Sequence, residues 1–269
     1  MTDNTLGIAD LDTAAIDSAL AGTPFHDRLH HFATIDSTNT HALDQAKAGA
    51  PHGSCYIADE QIAGRGRGNH QWHSDARQGL YLSVLLRPQI SASDLTWLPL
   101  IAGLAAHRAI QQITALNADL RWPNDLLIGV KKAGGILVES QSEQERVLAA
   151  VIGIGINLHQ QTFPLNLATP ATSLDLETGR YTSRQDLLIA LLQSLHAELT
   201  ALQSKEALAA IPARIAAIST WVEGRRVEVH GPQACTGITA GLDPKGFLRV
   251  QTENSTATIT TGGLRDPTK

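Results

Sequence analysis

Two arginines alternate with three glycines in Gly64-Arg65-Gly66-Arg67-Gly68, inside the stretch QIAGRGRGNHQW that runs from Gln61 to Trp72. Glycine weakens strand and helix interiors, so this is a loop whose backbone can come close to a ligand. Guanidinium groups are planar forks of donors that match carboxylate or phosphate. The chemistry on offer is an anion clamp. The plainer alternatives are a solvated surface loop or an arginine–glycine nucleic-acid tail. The strand-like runs SCYIADE and LYLSVLL on either side, and the anchor at Trp72, favour the ordered clamp.

A second set lies in RWPNDLLIGVKKAGGILVE, Arg121 to Glu139. Proline holds Trp122 extended, and Pro123-Asn124-Asp125 makes a tight turn. Asp125 then stands at a strand end, where a carboxylate can hold a metal or a polar ligand. Lys131 and Lys132 follow in or beside the strand leading to Gly134-Gly135. Adjacent strand residues face opposite sides, so one lysine of the two is expected in a site. A charged hairpin tip accounts for the pair equally well.

Two further segments could complete a site. In VIGIGINL, Gly153 and Gly155 alternate with apolar β-branched residues before Asn157, as in a central strand against which a ligand or another backbone packs closely. Ser37-Thr38-Asn39 opens a helix, where hydroxyls, an amide and free backbone N–H groups could orient a neutral polar ligand; plain N-capping is the simpler reading. No dinucleotide fingerprint or phosphate-binding P-loop is present, no serine, histidine and acid can be assigned as a triad, and the histidines lack metal spacing on a helix.

These groups need a scaffold, and the 269-residue chain can build one. Met1 to Pro24 is polar and alanine-rich, with one short helix at Asp12–Leu20. From His31 the signals become regular: a strand, a helix capped at Ser37 or Thr38 and ended by Gly49 and Pro51, and the strands flanking the glycine–arginine loop. A long apolar-periodic helix runs from Leu98 to about Leu116. Short strands DLRW, LLIG and GGILVES follow, then the buried run RVLAAVIGIGINL, a leucine-faced helix beginning at Ser183 and a further helix over Lys205 to Ile218. After Trp221 the chain becomes short alternating segments with turns at Gly231-Pro232 and Asp243-Pro244-Lys245-Gly246, the pattern of a small β-barrel. The organisation predicted is an N-terminal extension (1–25) that need not be ordered, an α+β domain (26–220) and a small β domain (221–269).

The bulk numbers narrow the function. Net charge is −5, against the basic excess of general nucleic-acid binders. No run is long and apolar enough to span a membrane, and the N-terminus lacks a secretory pattern. Two isolated cysteines, Cys55 and Cys235, predict neither a disulfide framework nor a zinc cluster, which suits a cytoplasmic protein.

In order and spacing, DSTN, GRGRGNHQW, RWPNDLLIGVKKAGGILVE, GIGINL and TSL (Thr172–Leu174), with GITAGLDPKGFLRV and TTGGL near the end, resemble the biotin–protein ligase family, from His31 to Arg265. The resemblance implies a catalytic domain like class II aminoacyl-tRNA synthetases, a mixed sheet backed by helices, followed by an SH3-like barrel. It implies two half-reactions: biotin and ATP give biotinyl-5′-AMP and pyrophosphate, and the biotinyl group then passes to a lysine of the biotin carboxyl carrier protein or domain of acetyl-CoA carboxylase or a related carboxylase. Mg²⁺ is implied with ATP. Ser37, Thr38, Asn39 and Gln61 match contacts to the biotin head group. Arg65, Gly66 and Arg67 match the loop that closes on the carboxylate and acyl-phosphate. Lys132, not Lys131, is in register with the active-site lysine. Trp72 matches the adenine-side aromatic, Asn124 and Asp125 belong to the turn on the nucleotide side with Asp125 a candidate metal ligand, and Asn157 closes that side.

Two departures stand out. Asn69-His70 replaces the family's usual Gly-Arg, leaving a third basic contact unassigned unless His70 supplies it. The first thirty or so residues are too short for the winged helix of the bifunctional members, so specific DNA binding is not expected. The partner state expected is a monomer or homodimer. Rivals are a lipoate or octanoyl transferase of related fold, and a non-enzymatic RNA- or ligand-binding protein using the same loop.

Overall fold

The computed structural model describes residues 11–68, 70–144, 146–202 and 204–267. The larger unit is built on a seven-stranded sheet in the order β1-β2-β3-β7-β6-β5-β4. Its strands are β1 (Leu29–Ile35), β2 (Cys55–Gln61), β3 (Gly79–Leu86), β4 (Asp119–Arg121), β5 (Asp125–Ile128), β6 (Lys131–Glu143) and β7 (Arg146–Asn157). Only β1 and β2 pair in parallel, joined by the crossover helix α2 (Thr38–Lys47), and the other neighbours are antiparallel.

β3 and β7 are the centre, and the period of two along β7 decides what each face does. Ile152, Ile154 and Ile156 belong to the main core, with residues of α3 (Trp97–Thr114), the short α4 (Leu174–Thr178) and α5 (Arg184–Ala201). On the opposite face Ala149 and Val151 join Tyr56, Leu85, Ala42 and Ala46 under α2. Further along that face stand Gly153 and Gly155, which leave room for a cleft.

The helix expected near the N-terminus is α1 (Thr13–Ala19), capped by the Asp12 carboxylate accepting from the Ala15 N–H at 3.0 Å. Within the N-terminal extension, whose order the sequence leaves open, Ile16, Leu20 and Phe25 are fully buried in the main core, where α1 packs against α5. A last helix, α6 (Lys205–Ile218), leads to a five-stranded antiparallel sheet, β11-β10-β9-β8-β12. These strands are β8 (Glu223–His230), β9 (Cys235–Leu242), β10 (Leu248–Gln251), β11 (Thr256–Ile259) and β12 (Gly263–Arg265). The architecture is α+β, a mixed sheet with helices followed by a small C-terminal antiparallel sheet of the SH3-like kind. No helix among the described residues is long and apolar enough to cross a membrane.

One buried ion cluster ties the edge strands to the core. Arg184, at the start of α5 and 2% exposed, donates from Nη2 to Asp59 Oδ1 at 2.8 Å. His31 Nε2 lies 2.9 Å from the same oxygen, and Arg77 Nε donates to Asp59 Oδ2 at 3.3 Å. Burial alone would raise the Asp59 pKa; the hydrogen bonds and charges of Arg184 and His31 outweigh it and hold it below the ordinary carboxylate value. Its stabilisation is therefore complete above the unfolded value of about 3.9 and is lost as pH falls through the lower folded value. Asp59→Asn leaves a buried guanidinium without a counter-charge and is expected to cost about 3–5 kcal/mol at pH 7. Urea unfolding of the two proteins checks it: the gap should narrow below pH ~4, and a pH-independent gap refutes the assignment.

Candidate functional site

The glycine–arginine segment is an irregular hairpin, not an open loop. Gln61 bridges to Ser74 and Arg65 to Gln71, the Gly66 N–H donates to His70 O at 2.7 Å, and the Trp72 N–H donates to Gly64 O at 2.9 Å. A side chain at Gly64 would run into Trp72 O and Ser74 Oγ, and Gly68 turns with φ +66° in the left-handed region. The hairpin brings Arg65, Gly66, Arg67 and Trp72 to the lining of a cleft. Asn69 lies outside the described residues. His70 is exposed, and its backbone rather than its ring takes part in the hairpin.

The cleft it covers gathers Ser37, Thr38, Asn39, Gln61, Arg65, Gly66, Arg67, Trp72, Asn124 and Lys132 against Gly135, Gly153 and Gly155. One end is neutral. Gln61 Oε1 accepts from the Thr38 N–H at 2.9 Å and lies 3.0 Å from the Thr38 hydroxyl, while Gln61 Nε2 donates to Ser74 Oγ at 2.8 Å. Ser83 Oγ lies 2.7 Å from Thr38 Oγ1 and donates to Asn39 Oδ1 at 2.6 Å. Ser37 caps α2, its Oγ accepting from the Thr40 N–H at 3.4 Å, so capping and lining the cleft coexist in one residue. Asn39 lines the cleft too, and both ends of its amide have protein partners: Nδ2 donates to Glu139 Oε2 at 2.9 Å and Oδ1 accepts from Ser83 Oγ.

The other end is cationic. Lys132 faces the cleft while Lys131 turns outward to Glu177 at 3.0 Å. A bulge at Ala133 accounts for the aim: Leu127 pairs with Lys132 but Leu126 pairs with Gly134, so one extra residue reverses the parity. Lys132 and Gly135, three apart, consequently share a face, and a Cβ on Gly135 would meet Lys132 Nζ at 3.5 Å. Residues 170–172 fix the lysine's backbone, with the Lys132 N–H donating to Pro170 O at 2.7 Å and the Thr172 N–H to Lys132 O at 2.9 Å. Asn157 Nδ2 donates to Thr172 O at 2.9 Å, so the asparagine expected on the nucleotide side braces the strip that holds Lys132 and does not line the cleft.

Asp125 also stands behind the lining. Its Oδ1 is 2.6 Å from Lys132 Nζ and its Oδ2 accepts from Arg121 Nη2 at 2.6 Å. Burial alone would raise its pKa; Lys132 and Arg121 more than reverse that and hold it below the ordinary range. Shared between two cations, the carboxylate serves as their counter-charge. Glu139, the other acid at the cleft, is taken by Arg65 at 2.6 Å. This donor set does not fit a divalent ion held by the protein.

Arg67 reaches the smaller sheet, Nη1 donating to Gly262 O at 2.5 Å and Nη2 to Thr261 Oγ1 at 3.3 Å. Burial lowers its pKa and the charge of Asp125 works the other way. Trp122, which precedes Pro123 through a cis peptide in the turn that carries Asn124, donates from Nε1 to Gly246 O at 3.1 Å. Asn124 Nδ2 donates to Ile136 O at 2.8 Å. Trp72 lies between Lys132, whose Nζ is 5.5 Å from its ring centroid, and Gly155, with the indole Nε1 buried and unpartnered among the described residues.

Ser83 and Glu139 are the site residues that sequence reasoning missed. LYLSVLL and GGILVES read as apolar strands, and the one signal was a hydroxyl and an acid interrupting runs that needed neither.

With this geometry in hand, the comparisons with known proteins are specific. The sequence profile of the Biotin/lipoate A/B protein ligase family matches residues 31–157. The chain is 41% identical over 156 residues to the bifunctional ligase/repressor BirA of Bacillus spizizenii, a match covering 57% of this chain and 48% of that protein. It thus spans about half the length of that relative, and of its Bacillus subtilis counterpart. It is 33% identical over 239 residues to the biotin--[acetyl-CoA-carboxylase] ligase of Mycobacterium tuberculosis, with 86% of each chain covered. Among solved structures, the Aquifex aeolicus biotin protein ligase in complex with biotin and ATP superposes with a TM-score of 0.76 at 30% identity, covering 89% of this chain and 98% of that one.

Proposed function

The chain belongs to the biotin/lipoate A/B protein ligase family, and from that premise we propose that it activates biotin with ATP to biotinyl-5′-AMP and transfers the biotinyl group to a lysine of a biotin carboxyl carrier domain. One observation carries the proposal: a single cleft has an uncharged polar end at Ser37, Thr38 and Gln61 and a cationic end at Arg65, Arg67 and Lys132. Biotin has the same polarity, a neutral ureido ring at one end and a carboxylate at the other.

In the first half-reaction a carboxylate oxygen attacks the α-phosphorus, a P–O bond forms, and the bond to pyrophosphate breaks. Nucleophile and phosphate are both anionic. Arg65, Arg67 and Lys132 offset that repulsion and stabilise the charge that builds on the phosphate, in a cleft where such contacts exceed their worth in water. Trp72 offers its face to the adenine, with Asn124 on the same side. In the second half-reaction the carrier lysine's amine attacks the acyl carbon, an amide forms, AMP leaves, and the amine loses a proton. The hairpin over the cleft shields the mixed anhydride from water in the interval. Mg²⁺ accompanies ATP in this reaction class, but the protein donors here do not fit a resident ion, and no step is assigned to one.

Biotin-dependent exchange of labelled pyrophosphate into ATP is the test. Exchange with biotin and none with lipoate or octanoate is expected. Exchange only with lipoate or octanoate would make the chain a lipoate-type enzyme, and no exchange with any acid would leave a binding protein.

A further inference from the structure

We propose that Glu139 is a positioning residue that competes with the ligand's carboxylate for Arg65 while it orients the amide of Asn39. One oxygen does both: Glu139 Oε2 accepts from Arg65 Nη2 at 2.6 Å and from Asn39 Nδ2 at 2.9 Å. Asn39 is 4% exposed and its Oδ1 accepts from Ser83 at 2.6 Å. A flipped amide would turn its oxygen against the carboxylate, so Glu139 fixes which way the amide faces and, through it, where the Ser83 hydroxyl points its proton. Glu139 thereby links the neutral end of the cleft to the cationic end.

The link has a direction. Arg65 is half exposed and its charge is paired with Glu139. An arriving carboxylate must take Arg65 from Glu139, whereas a neutral ligand of the same shape need not. Glu139 therefore lowers affinity for the anionic ligand selectively and keeps the clamp arginine in place until that ligand arrives.

The inference rests on the biotin reading of the cleft, and biotin compared with biotinol, in which the carboxylate is an alcohol, separates the two. Both dissociation constants are measured by calorimetry on the full chain and on Glu139→Gln. The expected result is that the preference for biotin over biotinol rises about fivefold in Glu139→Gln, the worth of a partly exposed ion pair. Any change in amide orientation shifts both ligands together and leaves the ratio alone. Glu139→Asp, which keeps the charge but withdraws it by one methylene, should move the ratio the same way by less, and stands in if the glutamine variant does not fold. An unchanged ratio, or a fall in it, overturns the proposal while the biotin reading stands. Binding of neither compound by the unmodified chain overturns both.

Discussion

Lys132→Met lowers biotin-dependent pyrophosphate exchange by about a hundred- to a thousandfold, the loss typical when one preorganised electrostatic donor is removed from a reacting centre. Methionine fills nearly the same space, so packing changes little. The charge is what goes. Among the described residues Lys132 is the cleft cation whose backbone N–H and C=O are both held by the segment 170–172, which makes it the least able to be replaced by a neighbour's movement. Asp125 keeps Arg121 at 2.6 Å, so the acid is not left alone and the thermal midpoint should fall only modestly. Lys132→Arg restores charge but not shape, and recovers part of the rate. If the methionine variant kept a tenth or more of the exchange, the lysine would have no place in the reaction.

The second large effect is expected at a residue with no functional group. Gly155→Ala puts a methyl 2.6 Å from Trp72 Nε1 and Cε2, well inside contact distance. β7 cannot yield, because it is hydrogen-bonded to β3 on one side and β6 on the other. The indole must move instead, and with it the Lys132–Trp72 face of the cleft. Overpacking of this kind costs about 1–3 kcal/mol of stability, and exchange activity should drop at least about tenfold through misplacement of the aromatic. In a Trp72→Ala background the same alanine should cost little stability, so a double-mutant cycle by thermal or urea unfolding reads the coupling directly. Additive penalties would mean that glycine serves the strand and not the tryptophan.

Those two residues mark how far the sequence could be read. The glycine alternation in VIGIGINL predicted close approach to a central strand, and the approach exists, but what fills it is Asn39 and Trp72 from this chain. Alternation likewise predicted that one of Lys131 and Lys132 would face a site. The choice between them depends on the bulge at Ala133, which arises from pairing between β5 and β6 and has no local signature. A strand-end acid such as Asp125 suits a metal or a polar ligand; its partner Arg121 is only four residues away, yet periodicity does not say that Lys132 takes the other oxygen. The short helix expected at Asp12–Leu20 forms, whereas its burial depends on α5 far along the chain and is not legible locally. Glu139 was hidden for the same reason: its partners Asn39 and Arg65 are 100 and 74 residues away.

The tether from Arg67 to Gly262 spans 195 residues and joins the hairpin to nearly the last strand. Synthesis runs from the N-terminus, so a growing chain can complete the large sheet, the neutral end of the cleft and Lys132 well before the acceptor for Arg67 has left the ribosome. The clamp is consequently the last piece to be set, and a chain cut short by premature termination before β12 would keep a cleft able to take up a ligand without the anchor for its second arginine. Ligand capture and chemistry would then mature at different times in the life of each molecule.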